Sequence, residues 1–238
     1  MSMLGAYTLI FEEQGLCRTE PNLTRKEIHD FSEPVWFYDE NTWHNYVFDL
    51  DKKKLRGVIH CGAHNCPETG CYVPLFGENV IWIEANKNSY DEWAKVCAKH
   101  HNQKAYNVAV SDYDGVGDII IDGSPDTGSL LNTRGISQRV AIYKLDTLIE
   151  HHGLDINNYN FLNIDTEGSE LNVLKGAEKT LEHIDYIFME VSTAARFSGG
   201  PTFAELNQYV IDRGFEFVKV SDSINTIGWG DAFYKRKS

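Results

Sequence analysis

The sequence predicts an α/β protein built on a doubly wound, mostly parallel sheet, with an antiparallel pair at its C-terminal edge and an N-terminal extension. Three observations point there. From about residue 57 onward, short β-rich runs alternate with stretches of helical period. Most of those runs are continuously apolar rather than alternating, as expected for strands covered on both faces. The last two runs have no helix between them, so they read as an antiparallel pair added at the edge.

Taken in order, the strands are expected at 57–61, 80–84, 104–110, 118–121, 139–143, 161–165 and 186–191, with the edge pair at 215–220 and 231–234. Between them, 90–100 has helical spacing. Leu171, Leu174, Ala177 and Leu181 recur at three- to four-residue steps after Ser169, which stands where an N-cap belongs. A further helix over 202–213 stops at Gly214. Residues 1–56 follow no such rhythm. They hold Trp36, Phe37, Tyr38, Trp43, Tyr46 and Phe48, broken by Pro34, and read as an extension packed on a main domain of residues 57–238. There is no internal repeat and no low-complexity linker.

Composition narrows the function. Across 238 residues, 35 Asp and Glu face 22 Lys and Arg, a net charge of -13. So acidic a surface repels phosphate backbones and argues against general nucleic-acid binding. No apolar run approaches the ~20 residues that cross a bilayer, and residues 1–13 lack the basic start and apolar core of a signal peptide. Five cysteines (17, 61, 66, 71 and 97) are an odd number that makes no disulfide framework, which points to a reducing, cytoplasmic setting. His60, Cys61, His64, Cys66 and Cys71 crowd one stretch, but their spacing matches no paired zinc knuckle. His60 and Cys61 also point to opposite faces of a strand.

In an open α/β sheet, ligands bind beyond the carboxyl ends of the strands. The first strand ends at Gly62, where backbone can approach a ligand closely, and the second ends at Glu84, placed to accept hydrogen bonds from ribose hydroxyls. Two readings stay open on these residues alone: a nucleoside site, or a tight turn and a solvated strand-end carboxylate. The glycine-rich dinucleotide fingerprint is missing. That counts against a nicotinamide-dependent sugar-modifying oxidoreductase, one alternative; a non-catalytic nucleotide-binding module on the same fold is another.

Several blocks together resemble the FkbM-type methyltransferases. They are Val58-Ile-His-Cys-Gly-Ala-His64 with Glu68 and Tyr72, Val80-Ile-Trp-Ile-Glu-Ala-Asn86, Asn107-Val-Ala-Val-Ser-Asp112, Gly128-Ser-Leu-Leu131 and Leu145-Asp-Thr-Leu148. The strongest runs from Phe161-Leu-Asn-Ile-Asp-Thr-Glu-Gly through Ala177. The resemblance spans roughly residues 57–235 and leaves 1–56 uncovered. It implies a class I, Rossmann-like fold and an S-adenosylmethionine-dependent O-methyltransferase acting on a hydroxyl of a small molecule, carbohydrate or glycan. It also implies that Gly62, Ala63 and His64 lie beside the amino-acid part of the cofactor, Glu84 and Ala85 at the ribose, and Ser111 and Asp112 near the adenine. Cys66 replaces a glycine usual in the family, and its Cβ is expected to narrow the loop facing the methionine part.

The reacting end is expected over Asp165 and Glu190, which close neighbouring strands ~4.8 Å apart. Such a pair either provides a general base, its pKa raised by the second charge, or holds a hard divalent cation, magnesium or manganese. Asp165 would then touch cofactor as well. Glu167 is a third candidate, with capping of the following helix as its other use, and His64 a fourth at the cofactor mouth. The 196–201 loop, with Arg196 and two glycines, reads either as a flap over substrate or as a connector.

Overall fold

A computed structural model describes residues 7–11, 17–21, 50, 52–121, 128–131, 134–195 and 199–238. The strands are β1 (Tyr7–Phe11), β2 (Cys17–Pro21), β3 (Val58–Cys61), β4 (Val80–Ile83), β5 (Lys104–Tyr106), β6 (Ala109–Val110) and β7 (Gly115–Ile121). They continue with β8 (Gly128–Ser129), β9 (Ile136–Tyr143), β10 (Phe161–Ile164), β11 (Tyr186–Ser192), β12 (Phe215–Val220) and β13 (Trp229–Arg236). The helices are α1 (Thr69–Phe76), α2 (the run over 87–100), α3 (Leu145–His151), α4 (Glu170–Lys175), α5 (Glu178–Leu181), α6 (Phe203–Asp212) and α7 (Ser223–Ile227).

Seven strands form the main sheet in the order β12-β13-β11-β10-β3-β4-β5. The chain starts in the middle, winds outward to β5, then returns across β3 to wind outward the other way. The five strands from β11 to β5 are parallel, and β13 runs antiparallel between β11 and β12. The C-terminal pair is therefore at the edge as expected, with its last strand inserted inside the sixth. Two apolar clusters account for the burial on both faces. Ile59, Cys61, Ile83, Leu162 and Ile187 face α3 to α7, whereas Val58, Trp82, Phe161, Phe188 and Phe233 face α1 and α2. Alternate residues of one strand thus enter different cores, so the central strands β3, β4 and β10 are buried at every position.

Two expected features take a different form. The 118–121 and 139–143 runs do not join the parallel sheet. They lie in β7 and β9, which pair antiparallel from Gly115↔Ile142 to Ile121↔Ile136 and, with β6 and β8, form a separate four-stranded sheet. No helical period separates the two runs, so no parallel crossover can form. The run 104–110 splits accordingly into β5 and β6.

The expected continuous helix after Ser169 breaks at Gly176 into α4 and α5. A Cβ on Gly176 would come 2.0 Å from the Ser111 carbonyl oxygen, so close approach of two backbones dictates the glycine. The 202–213 helix stands as read, with Thr202 and Glu205 forming a reciprocal capping box.

The aromatic-rich part of the N-terminal extension lies outside the described residues. Within them, β1 and β2 pair antiparallel, and Leu50 and Leu55 pack against the α1/α2 core.

Candidate active site

The crossover of chain direction at β3 opens a cleft at the carboxyl ends of β3, β4 and β10, where such sheets bind ligands. Gly62 turns the chain there with φ +88°. A Cβ at this position would sit 1.6 Å from the Asp165 carbonyl oxygen, so the ends of β3 and β10 meet only because residue 62 has no side chain. The Gly62 and Ala63 amides both donate to the Ile83 carbonyl, at 2.9 and 3.0 Å.

Glu84, one residue past β4, holds this loop in place. One carboxylate oxygen accepts the His64 N–H at 2.7 Å and the other accepts the Asn86 N–H at 2.6 Å. Burial raises the Glu84 pKa, and these backbone hydrogen bonds oppose the rise. Asn107 donates to the carbonyls of Glu84 and Ala85 at 2.8 and 3.1 Å, fixing the peptides that follow β4.

The cleft has a volume of about 330 Å³. Gly62, His64, Glu84, Ala85, Asp165 and Glu167 line it, so the structure brings together six of the residues singled out in the sequence. Its apolar end is built from Val108, Ala109 and Val110 together with Ile119 and Leu130 of the second sheet or its borders. Asn86, Gly128 and Ser169 also reach it, and none of these was chosen as a site residue from sequence. Ala63, Ser111, Asp112 and Glu190 stand outside its walls. Ala63 is in the α1/α2 core, and Ser111 is buried with its N–H on the Tyr143 carbonyl and its hydroxyl on Asp112.

At the other end, Asp165 is exposed to the cleft, yet the protein crowded around its carboxyl desolvates it and raises its pKa well above the usual carboxylate range. The charges of Glu190, Glu167, Asp231 and Glu170 add to the rise. Glu190 faces Asp231 across the β11–β13 pair. Glu167 has φ +50°, and Gly168 after it has φ +98°. Glu170 is buried and holds this turn by accepting N–H bonds from Thr166 at 3.2 Å and Gly168 at 2.9 Å. Ser169 occupies the N-cap position without making a side-chain cap bond; the Glu170 carboxylate takes the turn's amides instead.

A polar cluster lies behind the Gly62 loop. Asn163 donates to the Tyr72 hydroxyl at 2.8 Å, and His60 Nδ1 lies 3.3 Å from that hydroxyl and 3.5 Å from Glu68. Burial lowers the His60 pKa to about 3 and raises that of Glu68 to about 8. The His60–Glu68 contact at neutral pH is therefore mostly between uncharged groups, despite its ion-pair geometry. Cys66 has φ +53°, the conformation that suits glycine, but its side chain is fully buried beside the α2 core. It stands behind the loop and does not narrow the cleft. Cys61 faces the opposite core from His60.

Among the described residues, no group of three or more His, Cys, Asp or Glu is arranged to hold a metal ion. Arg196 lies outside the described residues.

A glycine turn, a strand-end carboxylate beside it and an apolar slot, set on this strand order, define a Rossmann-like α/β domain with a ligand cleft at its strand crossover. The methyltransferase FkbM domain matches residues 60–217, more than half of the chain, and the chain belongs to the FkbM methyltransferase family. Among solved structures, the methyltransferase FkbM from Methylobacillus flagellatus KT is 17% identical, with a TM-score of 0.51. The match covers 76% of this chain and 43% of that one, so this chain spans under half the length of that relative. The magnesium protoporphyrin IX methyltransferase of Synechocystis PCC 6803, solved with bound SAM, matches at 9% identity and a TM-score of 0.45, over 78% of this chain and 73% of its own. No curated protein matches by sequence.

Proposed function

We propose that this chain is an S-adenosylmethionine-dependent O-methyltransferase whose acceptor is a hydroxyl of a carbohydrate or glycan. The observation that carries the reading is Glu84, which ties the Gly62 loop to Asn86 at the border between an apolar slot and an acidic end. The residues fit the cofactor. Val108 to Val110, Ile119 and Leu130 suit an adenine ring, Glu84 keeps lone pairs for ribose hydroxyls, and Asp165 and Glu167 suit a sulfonium cation. When bound, the cofactor supplies an electrophilic methyl group.

The chain's own task is to orient the acceptor oxygen and remove its proton. Asp165, whose pKa desolvation raises well above the usual carboxylate range with the charges of Glu190 and Glu167 adding to the rise, is suited to accept that proton. A second reading has Asp165 and Glu190 holding magnesium or manganese, which would lower the pKa of the hydroxyl. Such ions take one or two carboxylates and keep several waters. His64, whose backbone N–H is held by Glu84, lines the cleft and is assigned to binding.

A sugar acceptor is supported by the rim beyond Asp165. Trp229 and Asp231 share a face of β13, and Asp231 opposes Glu190. Trp229 is 40% exposed. An aromatic face with carboxylates two register positions away offers stacking for a pyranose and acceptors for its hydroxyls. The acidic surface favours such acceptors over nucleic acid, and no helix among the described residues is long and apolar enough to cross a membrane. A cytoplasmic setting belongs to the same proposal, on the odd number of five cysteines in the sequence.

Calorimetry with S-adenosylhomocysteine and NAD tests the cofactor. Binding of NAD alone would favour the oxidoreductase alternative. A labelled-methyl screen over glycans and nucleotide sugars, with and without divalent cations, tests the acceptor. Cofactor binding with transfer only to amines or carboxyls would refute the hydroxyl assignment.

A further inference from the structure

The turn that carries Asp165 and Glu167 is anchored from outside the main sheet. Glu167 adopts φ +50°, a conformation that a residue with a Cβ keeps only where its neighbours over-determine it. Glu170 supplies one constraint from within the turn's own helix, through the Thr166 and Gly168 amides. Ser129 of β8 supplies another. Its hydroxyl donates to the Glu167 carbonyl at 2.7 Å and accepts the Leu131 N–H at 3.1 Å. Ser129 is 1% exposed, so water offers no ready replacement for either bond.

The neighbours of Ser129 give this contact a purpose. Gly128 and Leu130, on either side of it, line the cleft, as does Ile119 on the adjoining strand. A ligand packed against them steadies β8, and β8 in place keeps the hydroxyl on the Glu167 carbonyl. That carbonyl in turn holds the turn two residues beyond Asp165. We infer that Ser129 is a positioning residue coupling occupation of the apolar end of the cleft to the placement of Glu167 and Asp165 at the other end. The inference rests on the reading of the cleft as a cofactor site and adds the route by which cofactor prepares the acid-bearing turn. Without the hydroxyl, the Glu167 carbonyl loses a donor and the left-handed turn loses one of its restraints.

Hydrogen exchange of the full chain, with and without S-adenosylhomocysteine, tests this in peptides covering 128–131 and 165–170. In the wild type the ligand should slow exchange in both, by about tenfold or more when near saturation. In Ser129→Ala, affinity should stay within about threefold, slowing at 128–131 should persist, and slowing at 165–170 should be lost. Ser129→Thr, which keeps the hydroxyl, should restore it, a rescue that a general packing role would not give. If Ser129→Ala does not fold, Ser129→Cys, similar in size and a poor donor, carries the same expectation. Retained slowing at 165–170 in the folded variant overturns the inference. So does wild-type slowing confined to 128–131, which leaves the cofactor reading intact. No slowing at either peptide overturns both.

Discussion

Replacing Glu84 with Gln is the most direct probe of the cleft because it keeps the shape of the side chain and changes one atom's role. The carboxylate accepts two backbone amides, at 2.7 Å from His64 and 2.6 Å from Asn86. A carboxamide has one acceptor oxygen, so whichever way it turns, its NH2 group faces an N–H donor. One charge-assisted hydrogen bond is lost, at about 1.5–3 kcal/mol, and a buried amide is left facing a donor. Those two amides belong to the loops on either side of the proposed ribose position, so the loss is expected to fall on cofactor binding. The affinity for S-adenosylhomocysteine should fall about ten- to hundredfold, following 1.4 kcal/mol per decade. If the whole loss also reached global stability, Tm would drop by several degrees, since about 1 kcal/mol moves a chain of this size by roughly 2–4 °C. Calorimetry gives the first quantity and a thermal melt the second. An affinity within threefold of wild type, in a protein that melts normally, would mean that Glu84 does not face the cofactor.

Three further outcomes are expected. Asp165→Asn should lower methyl transfer at least a hundredfold, within the ~10²–10⁴-fold typical of a general base, with cofactor affinity changed far less. Loss of activity on chelation, restored by magnesium or manganese, would select the metal version, and near-wild-type turnover in the variant would refute both. The pKa of Glu68 is raised on folding from 4.5 to about 8, so the protonated form is favoured in the folded state. Its contribution to stability should be present below pH 4.5 and disappear as pH rises through 8. Glu68→Gln should flatten the Tm profile across that window, and an unchanged profile would contradict the burial-driven shift. Trp229→Ala should raise KM for a saccharide acceptor at least several-fold while leaving S-adenosylhomocysteine binding unchanged; an unaltered KM would remove the stacking platform.

Gly62, Glu84, Asp165 and Glu167 were legible in the sequence because each follows a continuously apolar strand, and such strands end where ligands bind. Other parts left no comparable pattern. Helix α1 contains Gly70 and Pro74, which interrupt helical period and propensity, yet it forms because Tyr72 and Phe76 reach the core. The second sheet depends on pairing β7 with β9 across a long connection, which no local window reveals. Ser129 and Glu170 act on backbone atoms, so their identities carry no periodic signal. The resemblance drew attention to Ser111 and Asp112, whereas the apolar wall comes from Val108 to Val110 just before them. There the Ser111 backbone is turned to pack against Gly176.

The second sheet has a consequence for how such a protein can change over generations. Its own core is small (Ala109, Ile119, Val140 and Ile142), and among the described residues no strand of this sheet pairs with a strand of the seven-stranded sheet. Insertions or substitutions in that hairpin can reshape one wall of the cleft while Gly62, Glu84 and Asp165 keep their places on the larger framework. The two parts can therefore drift at different rates. One bears the constraint of the strand crossover, and the other is a replaceable wall through which a lineage can retune ligand grip without rebuilding the fold.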